Sequence, residues 1–442
     1  MNSAILKELE ARDLIFQITH EELDSELANR SMTLYCGFDP TAESLHVGSL
    51  LPIIVLAQFR RHGHNPIPLV GGATGLIGDP SGKSEERTLL DEAEIHRNVE
   101  GIASQIRSIL DRALEVHPTA GMALGDDDNG GSIPIPFANN ADWMTRWSYI
   151  DFLREIGKHF RVNQMLQKDS VRARLEEREQ GISYTEFSYM LIQAYDFLHL
   201  FETHGCELQA GGSDQWGNIT AGTELIRRKL GKPAYGLTFP LLLTPTGQKF
   251  GKTEAGAVWL DPERTSPYEF YQYWVRREDA EVVDLLRKFT FLPLSEIEEH
   301  AARVARSENQ GDVQRVLAYE VTSLVHGAEE ADKAVRASKM LFGETIEGLS
   351  DRDLAAVFAE VPSSTMPRDR LHGGVNIVEL LDEVGLQPSR GAARKLVGQG
   401  GAYINNVRVV GIDTLVTLEH LASPTKLVLR AGKRNYHVIS IE

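Results

Sequence analysis

Apolar and polar positions follow different rhythms along this chain. Residues 33–38 (Thr-Leu-Tyr-Cys-Gly-Phe) and 66–70 (Pro-Ile-Pro-Leu-Val) are short and almost wholly apolar, the pattern of strands buried on both faces of a parallel sheet. Between them, 46–62 carries apolar residues at helical spacing, so the three segments form one βαβ unit. Such a unit predicts a Rossmann-like open α/β sheet, which binds ligands beyond the carboxyl ends of its strands. The loops 36–49 and 71–83 occupy those ends. Helical patterns recur at 90–115, 147–158, 168–179 and 184–200, followed by a strand at 205–211 and a helix at about 214–230. Residues 117–136, with Asp126-Asp127-Asp128-Asn129-Gly130-Gly131, read as an exposed loop.

Beyond that, the rhythm changes. From 266 it is helical, starting at Ser266-Pro267-Tyr268-Glu269, a capping sequence with proline at the first helical position. From 375 there are two short helical patterns and then strands over 403–410, 427–430 and 436–441. The expected organisation is a Rossmann-like domain over 1–243, a loop and linker over 244–265, an α-helical domain over 266–345, a linker over 346–374 and a small α+β domain over 375–442.

Composition narrows the class of protein. The longest apolar run, 50–57, is too short to span a bilayer, and the acidic amphipathic start (Ile5, Leu6, Leu9, Leu14, Ile15, Ile18) lacks a signal-peptide pattern, so no membrane role is expected. Two cysteines, Cys36 and Cys206, make no disulfide framework and suit a reducing cytoplasm. The net charge of −17 argues against general polyanion wrapping. Residues 374–442, however, hold eight Lys/Arg against six Asp/Glu, which suits selective contact with RNA.

Candidate chemistry sits at the strand ends. Tyr35 to Ser49 runs from a strand through a Gly/Pro turn into a helix start, a backbone cradle for phosphate. Lys249-Phe250-Gly251-Lys252-Thr253 supplies cations on a short loop, able to stabilise a departing pyrophosphate. Gly71 to Lys83 fits neither the dinucleotide fingerprint nor the P-loop; by itself it is a tight turn, to which Asp79, Lys83 and Arg87 add function. Tyr189, Gln193 and Asp196, at i, i+4 and i+7, form one polar stripe within roughly 60° on an otherwise apolar helix. Such a stripe needs partners, either an internal network or a ligand bearing an amine and a hydroxyl. Gly211 to Asn218 opens another helix, where Asp214 and Gln215 can meet ribose or substrate atoms and equally can cap the turn.

Taken together, Tyr35–Ser49, Gly71–Arg87, Gly181–Leu198, Gly211–Asn218 and Lys249–Thr253 resemble the bacterial-type tyrosyl-tRNA synthetases, class I enzymes, over nearly the whole chain. The class signatures stand as His46-Val47-Gly48-Ser49 and Lys249-Phe250-Gly251-Lys252-Thr253. The resemblance implies that L-tyrosine and ATP form tyrosyl-adenylate and pyrophosphate, and that the tyrosyl group then passes to the 3′ end of tRNA(Tyr). Mg²⁺ would accompany ATP. It implies that Tyr35 and Asp196 hold the phenol; that Tyr189, Gln193 and Asp79 hold the α-amine; and that Gln215 places the carboxylate. Cys36, Gly37, Asp39, Thr41, His46, Gly48, Ser49, Asp214 and Lys252 would lie along ATP, with His46, Lys83, Arg87, Lys249 and Lys252 stabilising the reacting phosphates. Phenylalanine would leave two polar groups unpaired, a rejection for which this enzyme family is itself the standard worked case.

The stretch Leu386–Lys395 with Gly401–Asn405 is similar to an S4-type RNA-binding domain, which implies tRNA contact through Arg390, Arg394 and Lys395, with Lys426, Arg430, Lys433 and Arg434 further on. Family members are homodimers, and Trp143, Trp147, Phe152 and Phe160 are candidate interface residues. One departure is Ser49 in place of the second signature histidine, from which weaker ATP contact is expected. A tryptophanyl-tRNA synthetase-like enzyme and a synthetase-derived RNA-binding protein of reduced activity remain as alternatives at this point.

Overall fold

The computed structural model describes residues 1–79, 91–116, 135–168, 171–172, 175, 181–242, 250–253, 256–308, 311–340, 344–346, 348–359, 361–433 and 435–442. Two compact units divide it: Met1–Asp261 with Arg277–Leu317, and Pro262–Arg276 with Ala318–Glu442.

The first unit is built on a six-stranded sheet. Its strands are β1 (Gln17–Ile18), β2 (Thr33–Phe38), β3 (Asn65–Val70), β4 (Ala138–Asn139), β5 (Cys206–Gly212) and β6 (Tyr235–Phe239), in the order β1-β6-β5-β2-β3-β4. All neighbours are parallel except β1, which lies antiparallel to β6 at the edge. The apolar runs expected at 33–38 and 66–70 are strands because both their faces are covered. Pro66 and Pro68 are tolerated in β3 because β4 reaches only Leu69 and Val70, leaving that edge uncovered beside the prolines. The order of β2 and its neighbours reverses at β5, so the β2/β5 boundary is the topological switch point where such sheets bind ligands.

The connecting helix is Leu50–Arg61, preceded by a 3₁₀ turn at Val47–Ser49. The polar-striped helix runs Tyr184–His204, opened by a capping box at Ser183 and Glu186 and closed by Gly205 at φ +60°. Helix Trp216–Leu230 packs against it at close range, since a Cβ on Gly222 would lie only 2.8 Å from Phe197 Cδ1. The pattern read over 147–158 resolves into a helix at Tyr149–Glu155 and a 3₁₀ turn at Gly157–His159. Most of 168–179 and of the loop 117–136 lies outside the described residues.

In the second unit a five-stranded sheet runs in the order Val407–Arg408, Ala402–Ile404, Lys426–Ala431, Asn435–Ile441, Ser363–Met366. Helices Ile377–Glu383 and Arg390–Gly398 cover one core of it. Helix Pro267–Val275 starts with the capping box and first-position proline read from the sequence. Two readings are corrected. Residues 403–410 are not one strand: Asn405 (φ 48°) and Asn406 (φ 63°) make a left-handed two-residue turn that folds the segment into a hairpin. The stretch 346–374 is not bare linker, since it holds helix Asp351–Val357 and strand Ser363–Met366, the latter pairing parallel with Asn435–Ile441.

Candidate active site

A cavity of about 760 Å³ opens at the carboxyl ends of β2 and β5. Tyr35, Asp79, Tyr189, Gln193, Asp196 and Gln215, the residues expected around an amino acid, all line it. So do Cys36, Gly37, Asp39, Thr41, His46, Gly48, Ser49 and Asp214, expected along a nucleotide. Lys83, Arg87 and Lys249 lie outside the described residues, and Lys252 is described only as backbone in the short strand Lys252–Thr253.

Two hydrogen-bond chains organise the wall. In the first, Asp196 accepts from Asn140 Nδ2 (3.0 Å) and Trp143 Nε1 (2.8 Å), so both its oxygens are held from behind. Asn140 Nδ2 also donates to Thr74 Oγ1 (3.1 Å), whose hydroxyl donates to Asp39 Oδ1 (3.3 Å). Tyr189 Oη donates to the same Asp39 oxygen (3.2 Å). In the second, Gln193 Nε2 donates to Gln215 Oε1 (3.3 Å), and Gln215 Nε2 donates to Asp79 Oδ2 (2.7 Å). The three expected amine ligands are thus divided: Gln193 and Asp79 share Gln215, while Tyr189 is bonded to Asp39.

Register explains the cavity's far end. Tyr35 on β2 lies opposite Gln209 on β5, and both are buried. Among the described residues, Tyr35 Oη and Gln209 Oε1 have no hydrogen-bond partner. Buried polar atoms left so cost about 1–3 kcal/mol each, a penalty that a ligand with a matching polar tip removes.

These residues lie on a chain with extensive likeness to known proteins. The family "tRNA synthetases class I (W and Y)" matches residues 27–343, and the "Tyrosine--tRNA ligase SYY-like C-terminal domain" matches 353–439. A tyrosine–tRNA ligase of Roseiflexus castenholzii is 50% identical over 440 residues, covering 99% of this chain and 100% of that one. One from Rhodopirellula baltica is 48% identical and covers 100% and 97% respectively. The chain belongs to the tyrosine–tRNA ligase family. A crystal structure of a C-terminally truncated mitochondrial tyrosyl-tRNA synthetase from Aspergillus nidulans matches with a TM-score of 0.67 and 32% identity, over 76% of this chain and 94% of that chain.

Electrostatics follow from burial in this member of the family. Asp196 is pushed up to about 7 by desolvation, against the opposing pull of its bonds from Asn140 and Trp143. Desolvation, with the charge of Asp196 behind it, drives the Tyr35 phenol well above its ordinary range, so Tyr35 stays an O–H donor. Burial raises the Cys36 thiol to about 12, which leaves it a neutral polar contact and no nucleophile. His46 Nδ1 accepts from the Gly48 amide (3.0 Å), and its ring stands edge-on to Trp259 at 6.4 Å.

Asn140, Trp143, Thr74 and Gln209 are the site residues that sequence reasoning passed over. Trp143 was expected at an interface; instead it is buried, bonded to Asp196 and stacked on His199 at 4.4 Å. In the C-terminal unit, Arg390, Arg394 and Lys395 are exposed on one helix. Arg430, expected among the RNA contacts, is buried, its guanidinium 3.7 Å from the centre of the Tyr403 ring, a cation–π contact that takes it off the surface.

Proposed function

We propose that the cavity seats tyrosine with its phenol between Tyr35 and Asp196, beside ATP, and joins them to tyrosyl-adenylate before transfer to tRNA(Tyr). The observation that carries this reading is the paired burial of Tyr35 Oη, without a hydrogen-bond partner among the described residues, and of Asp196, its oxygens anchored by Asn140 and Trp143. Tyr35 donates to the phenolic oxygen and the phenolic O–H donates to ionised Asp196. Gln193 and Asp79 meet the ammonium, and Gln215, already bonded to both, turns its amide toward the carboxylate.

The first step needs no protein nucleophile. The tyrosine carboxylate oxygen attacks the α-phosphorus, the bond to the bridging oxygen breaks, and pyrophosphate leaves with the electron pair. Rate then comes from holding the two substrates in line and from cations facing the developing charge. His46 and Gly48, at the start of a helix behind β2, lie along the nucleotide, while Lys83, Arg87, Lys249 and Lys252 face the pyrophosphate. Mg²⁺ enters on the ATP phosphates; among the described residues no group of three or more His, Cys, Asp or Glu side chains is placed to hold a metal.

The exposed helix bearing Arg390, Arg394 and Lys395 grips RNA through its phosphates, in a cytoplasmic enzyme. A second copy of the chain covers the apolar surface formed by exposed Tyr149, Ile150, Val162, Leu166 and Tyr184, next to partly buried Trp147, Phe152 and Phe160. Among the described residues no helix is long and apolar enough to cross a membrane.

Amino-acid-dependent exchange of labelled pyrophosphate into ATP tests the central claim. Tyrosine should support exchange, and tryptophan and phenylalanine should support little. Equal exchange with tryptophan, or tyrosine exchange undiminished in Tyr35→Phe and Asp196→Asn, overturns it.

A further inference from the structure

We propose that helix Glu92–Glu115 is a positioning element for the activation step, with Gln105 and Gly101 fixing the loop that faces ATP. The proposal rests on the reading that residues 39–46 lie along the nucleotide. Asp39, Thr41, Leu45 and His46 from that loop line the cavity. The helix stands behind them, and none of its described residues lines the cavity.

Asn98, Gly101 and Gln105 stand at i, i+3 and i+7, within roughly 60° on one face of the helix. Each meets the loop at a different point. Asn98 is buried among Ile95, Ile102 and Ile106 of the same helix, and its Nδ2 donates to the carbonyl of Pro40 (3.0 Å). Gly101 weakens a helix interior, yet a Cβ there would lie only 2.3 Å from the Glu43 carbonyl oxygen. Gln105, half-buried, accepts from Leu45 N through Oε1 (2.9 Å) and donates from Nε2 to Ser44 Oγ (3.1 Å).

One rigid element thus holds the loop backbone at Pro40, Glu43 and Leu45, the last of these next to His46. The loop is braced from its other side as well. Leu260 N donates to Leu45 O (2.8 Å) and Asp261 N to Ser44 Oγ (3.2 Å), while Ser44 Oγ donates to Leu45 O (2.8 Å). Ser44 and Leu45 are buried between the two supports. An exposed ion pair, Arg97 Nε to Glu43 Oε1 at 3.7 Å, adds little. Removing the Gln105 bonds leaves the second support standing, so the loop shifts and does not collapse. Misplacing a group that orients a reacting substrate by about 1 Å costs about 100-fold in rate, and a fraction of that shift costs several-fold.

A helix face that only packed would, when altered, change stability and leave the kinetics of both substrates alone or disturb them together. A face that positions the loop affects ATP and spares tyrosine, because Tyr35 stands on β2 and Gln193 and Asp196 on helix Tyr184–His204. In the full-length enzyme Gln105→Leu should lower kcat/KM for ATP in pyrophosphate exchange about fivefold, and Gly101→Ala about tenfold. Tyrosine dissociation, by equilibrium dialysis, should change less than about twofold in both. Gln105→Glu keeps an acceptor for Leu45 N and should return to within about twofold of the parent.

Unchanged ATP kinetics in folded Gln105→Leu and Gly101→Ala, a matching loss of tyrosine affinity, or Gln105→Glu no better than Gln105→Leu overturns the proposal. Should Gly101→Ala not fold, as judged by circular dichroism, the two Gln105 variants carry the same comparison. Thr41→Ala and His46→Ala are measured alongside. If both keep the parent's kcat/KM for ATP, the reading that this loop faces ATP fails; if they lose it while the helix variants do not, only the positioning role fails.

Discussion

Trp143→Phe removes one N–H from the back of Asp196 and keeps an aromatic ring to lie on His199. A hydrogen bond to a charged group contributes about 1.5–3 kcal/mol, and about 1.36 kcal/mol corresponds to one pH unit of acidity. Asp196 already titrates near 7, because burial outweighs its two donors, so losing one donor moves it up by about one to two units. At pH 7.5 the ionised fraction then falls by about 3- to 25-fold, and the KM for tyrosine rises by about the same factor. At pH 9 half or more of the carboxylate is ionised again, and the penalty shrinks to about twofold or less. The assay is tyrosine-dependent pyrophosphate exchange from pH 6.5 to 9 at saturating ATP. A KM profile that superimposes on the parent's, or a penalty that grows toward high pH, refutes the argument that Trp143 keeps Asp196 charged.

Three shorter predictions concern neighbouring features. The native protein binds the Asp196 proton more tightly than the unfolded chain, so stability falls as pH rises from the ordinary carboxylate range to about 7; Asp196→Asn should gain thermal stability over the parent between pH 4.5 and 7.5, and a constant difference counts against this. A Cβ on Gly48 would lie 2.7 Å from His46 Cε1, so Gly48→Ala must displace the imidazole; kcat/KM for ATP should fall about tenfold while tyrosine binding by equilibrium dialysis stays within about twofold. Ser49 precedes helix Leu50–Arg61 without a side-chain cap bond; Ser49→His should keep or raise the exchange rate, and a loss beyond about tenfold would sink that expectation.

The sheet was legible because its central strands are apolar on both faces, and the stripe Tyr189, Gln193 and Asp196 because helical spacing displays it. Asn140 and Trp143 were not legible. They lie on a short fragment, β4 followed by the four-residue helix Ala141–Met144, too short for any periodicity, and their partner Asp196 is more than 50 residues away. Ser363–Met366, polar and flanked by Pro362 and Pro367, has no intrinsic strand character; it is a strand only because Asn435–Ile441 offers it a partner. Arg430 shows the same limit. Charge in a strand suggests solvent, but the flanking Tyr403 and Tyr436 rings, at 3.7 and 5.7 Å, and a bond from Nη1 to the Gly432 carbonyl (3.0 Å) make burial tolerable.

Asn435–Ile441 is threaded between Lys426–Ala431 and Ser363–Met366, so the carboxyl tail acts as a zip fastener. Trimming residues 435–442 would strip two neighbours of their pairing at once and leave raw edges prone to self-association. An investigator who wishes to excise the C-terminal module should therefore cut upstream of Ser363, since a clone begun at 375 would lack a border strand before it was ever expressed.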